Sequence, residues 1–199
     1  MLKLSITGGI ASGKTTACEY LEKTYGAYIF NADKESKAYL KSSIILQRKI
    51  TNIFGNDILE NKKINFKLLA DKVFSNDMNH KIINGIMWPE VYVLIEKSYK
   101  KIYKKRKHKL FIVDAALIFE AKFDHFFDSN LLITANKDTR IERAIKRTNM
   151  PLENIQNRIS KQLSDKKKKS LADHIITNNK SLDSFYTDLD YFYKNILFK

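Results

Sequence analysis

The sequence predicts an α/β fold: a five-stranded parallel sheet flanked by helices. Two observations carry that prediction. Short apolar runs alternate along the chain with longer stretches of helical periodicity, the pattern of right-handed crossovers between parallel strands. The first apolar run also leads straight into "TGGIASGKTT" (residues 7–16), a glycine-rich turn that opens a helix. At 199 residues the chain suits one such unit with a small inserted or hinged subdomain.

The elements follow in order. "LKLSIT" (2–7) is a buried strand, and residues 13–24 form a helix. "AYIFNA" (27–32) is a second strand that ends at Asp33. A helix-rich stretch comes next, with weak turn signals in "FGND" (54–57) and "SND" (75–77). An amphipathic helix is expected over residues 89–105, with Pro89 in its first turn, where a missing N–H costs nothing. Its Val91, Leu94, Ile95 and Ile102 keep helical spacing, with Lys97, Lys100, Lys101 and Lys104 opposite. "LFIV" (110–113), four apolar residues in a row, suits a central parallel strand, and "NLLITA" (130–135) is a fourth. Helices over 137–148 and 151–163, a strand over 174–177 and a helix from Leu182 complete the chain. Ligands of such sheets sit beyond the carboxyl ends of the strands, so residues 8–16, Asp33 and Asp114 are expected to share a cleft.

Composition narrows the function. No apolar run approaches the roughly 20 residues of a membrane span. The N-terminal stretch is too short and glycine-rich for a signal peptide. One cysteine, Cys18, excludes an internal disulfide framework and fits a reducing cytoplasm. The formal charge is +14, from 36 Lys and Arg against 22 Asp and Glu. That charge admits a nucleic-acid binder, a membrane-surface binder, an enzyme of polyanionic substrates, or solvated lysines.

The glycine turn decides among nucleotide chemistries. Gly8 and Gly13, spaced by four residues and followed by Lys14 and Thr15, match the phosphate-binding loop, with a strand before and a helix after. Backbone N–H groups of Ala11, Ser12, Gly13 and Thr16 can curl around an anion at the positive end of a helix. Lys14 reaches the outer phosphates of a nucleoside triphosphate, and the Thr15 hydroxyl ligates Mg²⁺. "NKDT" (136–139) has Thr139 where a guanine-recognition element needs an aspartate. It is expected instead to cap a helix through Asn136 or Asp138.

A kinase further needs a carboxylate at the acceptor, cations for the transferred group and a cover against water. Asp33 suits the first role and Asp114 the Mg²⁺ shell. Arg140, Arg143 and Arg147 share a helix face, either as a ladder aimed at phosphates or as solvated surface. The run "SDKKKK" (164–169) after Arg158 suits a mobile basic flap or, again, solvated surface.

These residues together resemble the dephospho-coenzyme A kinase family. The likeness runs from "TGGIASGKTT" through "NAD" (31–33), "DAALIFE" (114–120) and "RIERAIKR" (140–147). It closes on Arg158, Gln162, Lys166, Ala172, Asp173 and Asn178. The resemblance implies ATP-dependent phosphorylation of the ribose 3′-hydroxyl of dephospho-CoA, with no membrane or nucleic-acid partner. It implies a P-loop kinase core (1–33, 108–140, 171–199), a helical substrate-binding subdomain (34–107) and a lid (141–170). Asp33, Lys14 and Arg143 become the catalytic set. Arg147 and Asn178 join the loop at the nucleotide, and Trp88, Pro89, Phe119, Glu120 and Arg158 join Asp33 at the acceptor. Three positions depart from the family pattern. Asn31 replaces an aspartate, Trp88 replaces a histidine before Pro89, and Ala116 replaces a proline. A nucleoside or nucleotide kinase of the same fold, and a basic nucleic-acid-dependent ATPase, are the alternative readings.

Overall fold

The computed structural model describes residues 1–148 and 151–198. They divide into two compact units, one of residues 1–31 and 101–199 and one of Ala32–Lys100.

The first unit holds the expected sheet. β1 (Leu2–Thr7), β2 (Tyr28–Asn31), β5 (Leu110–Asp114), β6 (Ser129–Thr134) and β7 (His174–Thr177) lie in the order β2-β5-β1-β6-β7, every pair parallel. The two strands with the longest apolar runs, β5 and β6, flank β1 and are buried along their whole length. α1 (Lys14–Tyr25) and α9 (Leu182–Tyr191) cover one face. Ala17, Cys18, Leu21, Phe185 and Leu189 pack there on Leu4, Ile6, Ile112, Leu131 and Ile133. Burial pushes the Cys18 thiol well above its ordinary value, and the nearby Asp114 carboxylate adds to the shift, so Cys18 is an inert part of this core. Some of the polar groups inside are paired across the sheet. Ser5 Oγ donates to Asn130 Oδ1 at 2.6 Å, and the Asn130 backbone N–H donates to Asp173 Oδ2 at 2.8 Å. α6 (Lys137–Thr148), α7 (Leu152–Ser160) and the short α8 (Asp165–Lys169) lie between β6 and β7 in sequence.

The second unit is helical: α2 (Ala32–Ser42), α3 (Ile44–Phe54), α4 (Phe66–Phe74) and most of α5 (Asp77–Lys104). Leu40, Leu46, Ile50, Phe54, Ile58, Leu69, Val73 and Ile86 form its core, and Ile50 and Ile58 are fully buried. Side-chain caps set two helix starts. Ser43 Oγ accepts from the Leu46 N–H, and Asn65 Oδ1 accepts from the Lys67 and Leu68 N–H groups. A small hairpin, β3 (Leu59–Glu60) with β4 (Lys63–Ile64), turns through Asn61 and Lys62 at positive φ. The sequence hid that hairpin because its turn lacks the glycine that usually marks one.

Two expectations need correction. Pro89 lies inside α5, which begins at Asp77, twelve residues before it. Its ring removes one hydrogen bond to the Gly85 carbonyl, a break that tends to end a helix. Ile82, Ile83, Ile86 and Met87 pack on the apolar core just before it, and that burial carries the helix through. Helix α7 ends at Ser160, short of residue 163. Among the described residues no helix is long and apolar enough to cross a membrane.

Candidate active site

The glycine loop leaves the carboxyl end of β1, the central strand. α1 begins after Gly13, at φ 109°, and no side chain caps it. Helices α3, α4, α8 and α9 each carry a Ser or Asn cap. The leading N–H groups of α1 therefore form an anion site at the positive end of a helix dipole. Ala11 sits at φ 55°, a left-handed conformation that costs a residue with a Cβ about 1–2 kcal/mol, a strain typical of functional loops.

Distant residues hold the loop in place. Asn178, which follows β7, donates from Nδ2 to the Ser12 carbonyl at 3.0 Å. A Cβ on Gly13 would lie 2.3 Å from that same nitrogen, so only glycine lets the brace approach. Arg143 Nη1 on α6 donates to the Asn178 carbonyl at 3.1 Å. The Lys14 ammonium folds back on the loop and donates to the Gly8 and Gly9 carbonyls at 3.0 and 3.2 Å. Thr15 is exposed, Thr16 is half-buried, and Ser12 Oγ is buried without a hydrogen-bond partner.

Asp114 ends the neighbouring β5 and is buried. Register places it opposite Asn31 of β2, whose Nδ2 donates to Asp114 Oδ2 at 3.1 Å. The asparagine in place of the family aspartate thus supports the carboxylate with a donor, where a second acid would repel it. A hydroxyl on Thr15 and a carboxylate on Asp114 are oxygen donors suited to a hard divalent cation that takes its remaining ligands from phosphates and water.

The other candidates fall in several environments. Arg147 and Arg158 are exposed on α6 and α7. Phe119 is buried, and the Glu120 carboxylate points inward. Its Oε1 accepts from the Leu163 N–H at 2.8 Å and pairs with Lys168 Nζ at 3.0 Å. Lys168 is fully buried and also donates to the Ala116 carbonyl at 3.1 Å. The lysine run is therefore no uniform basic flap: its third lysine is a core anchor, a role that four identical letters conceal. The arginine ladder is corrected too. Arg140 is buried and paired with Asp165 at 2.8 Å, so it does not share the surface of Arg147. The Asn136 side chain does not cap α6, because it accepts from Asn179 Nδ2 while its own N–H donates to Asn179 Oδ1. Asp33, Trp88 and Pro89 belong to the second unit. Asp33 is exposed in the first turn of α2, Trp88 is half-buried and Pro89 exposed on α5.

A family model described as dephospho-CoA kinase matches residues 2–184. The chain belongs to the dephospho-CoA kinase family. A curated dephospho-CoA kinase of Chlamydia caviae is 35% identical over 194 residues, 97% of this chain and 96% of its own. A solved dephospho-CoA kinase from Campylobacter jejuni superposes with a TM-score of 0.70 at 26% identity, over 98% and 96% of the two chains. A Thermus thermophilus structure superposes with a TM-score of 0.81 at 21% identity, over 98% and 97%, and shows the shared fold. The match spans the glycine loop, Asn31, Asp33, Trp88 and Asn178 alike.

Proposed function

We propose that this kinase transfers the γ-phosphoryl group of ATP to the ribose 3′-hydroxyl of dephospho-CoA, giving coenzyme A. The family match across residues 2–184 carries the reading, since it contains every residue invoked below.

On the donor side, the N–H groups of Ala11, Ser12, Gly13 and Thr16 hold the β-phosphate. Lys14 exchanges two carbonyl contacts for charge-assisted bonds to phosphate oxygens, which are roughly twice as strong as neutral ones. Arg143 and Arg147 oppose the charge that spreads over the transferred group, and Asn178 keeps the loop in register. Thr15 and Asp114 would hold Mg²⁺, which would supply positive charge to offset that of the phosphates. On the acceptor side, Asp33 takes the hydroxyl proton as the oxygen attacks. Trp88 offers a flat face where the family has a histidine, and Pro89 and Arg158 complete the acceptor contacts. Phe119 and Glu120 act on the acceptor indirectly, Glu120 by fixing the segment that Lys168 anchors. Residues 34–107 form the acceptor subdomain and residues 141–170 the lid, its far end anchored by Lys168. The reduced single thiol suits a cytoplasmic enzyme.

The test is a coupled ADP-release assay with ATP and Mg²⁺, offering dephospho-CoA, a panel of nucleosides and nucleotides, and duplex DNA. Turnover with dephospho-CoA, with coenzyme A identified by mass, is the expected result. Turnover with another acceptor, or stimulation by DNA in its place, would overturn the assignment.

A further inference from the structure

We propose that Arg140 is a positioning residue for the nucleotide: its guanidinium, pinned by Asp165, sets the conformation of the glycine loop at Gly9. The proposal rests on the nucleotide-binding part of the reading above and adds a residue that part does not use.

Three observations converge on it. Arg140 is only 4% exposed, although it is a full charge on a helix of otherwise polar character. A buried guanidinium is retained only where it is paired or in contact with something that uses it. Its Nη2 donates to Asp165 Oδ2 at 2.8 Å, which fixes the plane of the group from α8. Its other end lies on the loop, because a Cβ built on Gly9 would stand 1.8 Å from Nη1 and 2.9 Å from Cζ. The guanidinium thus fills the space that any side chain at position 9 would claim. Arg140 Nε is buried without a hydrogen-bond partner, so the group is not placed there to satisfy its own donors.

The consequence is electrostatic and geometric. Lys14 Nζ donates to the Gly9 carbonyl, and Arg140 fills the space beside the Cα of the same residue. Two cations therefore meet at one residue of an anion loop, and the protein's low dielectric strengthens their effect on a phosphate nearby. A flexible arginine could move aside for a methyl group at low cost. One held by Asp165 and enclosed in the core cannot, so Gly9, Arg140 and Asp165 act as a single unit.

A double-mutant cycle on ATP binding, read by isothermal titration with no acceptor present, tests this. Gly9→Ala should weaken ATP binding by more than tenfold, and Arg140→Ala by about tenfold, the scale of one lost charge-assisted contact. The double variant should bind no worse than Gly9→Ala, because the displaced guanidinium is gone. Arg140→Lys keeps the charge but not the flat fork, and should recover only part of the loss. In turnover, Arg140→Lys should raise KM for ATP while leaving KM for the acceptor unchanged. Should Arg140→Ala fail to give a cooperative melt, the cycle is run with Arg140→Lys. Additive losses, or a rise in both KM values alike, overturn the proposal while leaving the kinase reading intact. Failure of the parent protein to bind ATP overturns both.

Discussion

The glycine loop and the Ala32–Lys100 unit are held by opposite means. The loop is braced by polar contacts: the Ser12 carbonyl with Asn178, the Asn178 carbonyl with Arg143, and Lys14 with the Gly8 and Gly9 carbonyls. In the helical unit the order comes from an apolar core around Ile50 and Ile58. Its candidate chemical groups, Asp33 and Pro89, stand exposed outside that core. Directional bonds can fix atoms to a fraction of an ångström around an anion, whereas apolar packing fixes helices and leaves their outer side chains adaptable. On the function proposed above, the difference suits a donor that always presents the same phosphates and an acceptor held by adaptable side chains.

The sharpest way to break that comparison is at Asp33. Asp33→Asn should lower turnover by about 10³-fold while ATP affinity stays within twofold of the parent, as expected for loss of a general base. Near-normal turnover would show that the exposed acid of the helical unit does no chemistry. The next largest effect concerns the buried ion pair. Lys168→Met leaves the Glu120 carboxylate buried and unpaired, and should cost about 3–5 kcal/mol in urea unfolding. Adding Glu120→Gln should return part of that loss, since a neutral amide is cheaper to bury. In the helical unit, Ile50→Ala should destabilise by about 2–5 kcal/mol, with KM for ATP unchanged if the loop is held by its own contacts.

The smallest effect is one of pH, on the face of α1 away from the loop. Asp190 accepts from the Tyr25 hydroxyl at 2.7 Å and from the Tyr20 hydroxyl at 2.8 Å, and Tyr20 stacks on Tyr186 and Tyr25 on Tyr193. The Tyr25 bond, then the Tyr20 bond, hold the Asp190 carboxyl below its ordinary value of 3.8 against partial burial. The unfolded chain therefore binds this proton first on acidification. The stability contributed by Asp190 is complete above pH 3.8 and is lost as pH falls below it. Tyr25→Phe should make the loss of urea stability between pH 5 and pH 3 shallower (about two units spanning the ordinary carboxylate range). An unchanged acid slope would mean that the tyrosines pack without tuning the carboxyl.

Much of the sheet and the glycine loop was legible beforehand, for a physical reason. A central parallel strand is buried on both faces, so its apolar run is unmistakable, as in "LFIV" and "LLIT". A phosphate loop needs glycines and a lysine at fixed spacing because the chain must bend tightly around one anion. What escaped was set by partners far away in sequence. Arg140 and Arg147 look alike on one helix, yet Asp165 and Gly9 take the first inside while the second stays exposed. Lys168 stands among four lysines and alone meets Glu120. Pro89 has the local preference of a helix start, and the apolar residues before it override that preference.

By itself, the sequence determined the parallel strands of the sheet and the helices between them, the glycine loop, the acid at the end of β5 and, by resemblance, the family; Asp33, expected at a strand end, lies in the first turn of α2. The features it determined follow from local geometry and from periodicity, which depend on residues close together in the chain. The tertiary structure alone decided which charges are buried, which arginine braces the loop through Asn178 and which rests on Gly9, and that Asn31 supports Asp114. Those outcomes depend on distances between residues tens of positions apart, and burial multiplies the energy of each contact in a way that no single stretch of sequence records.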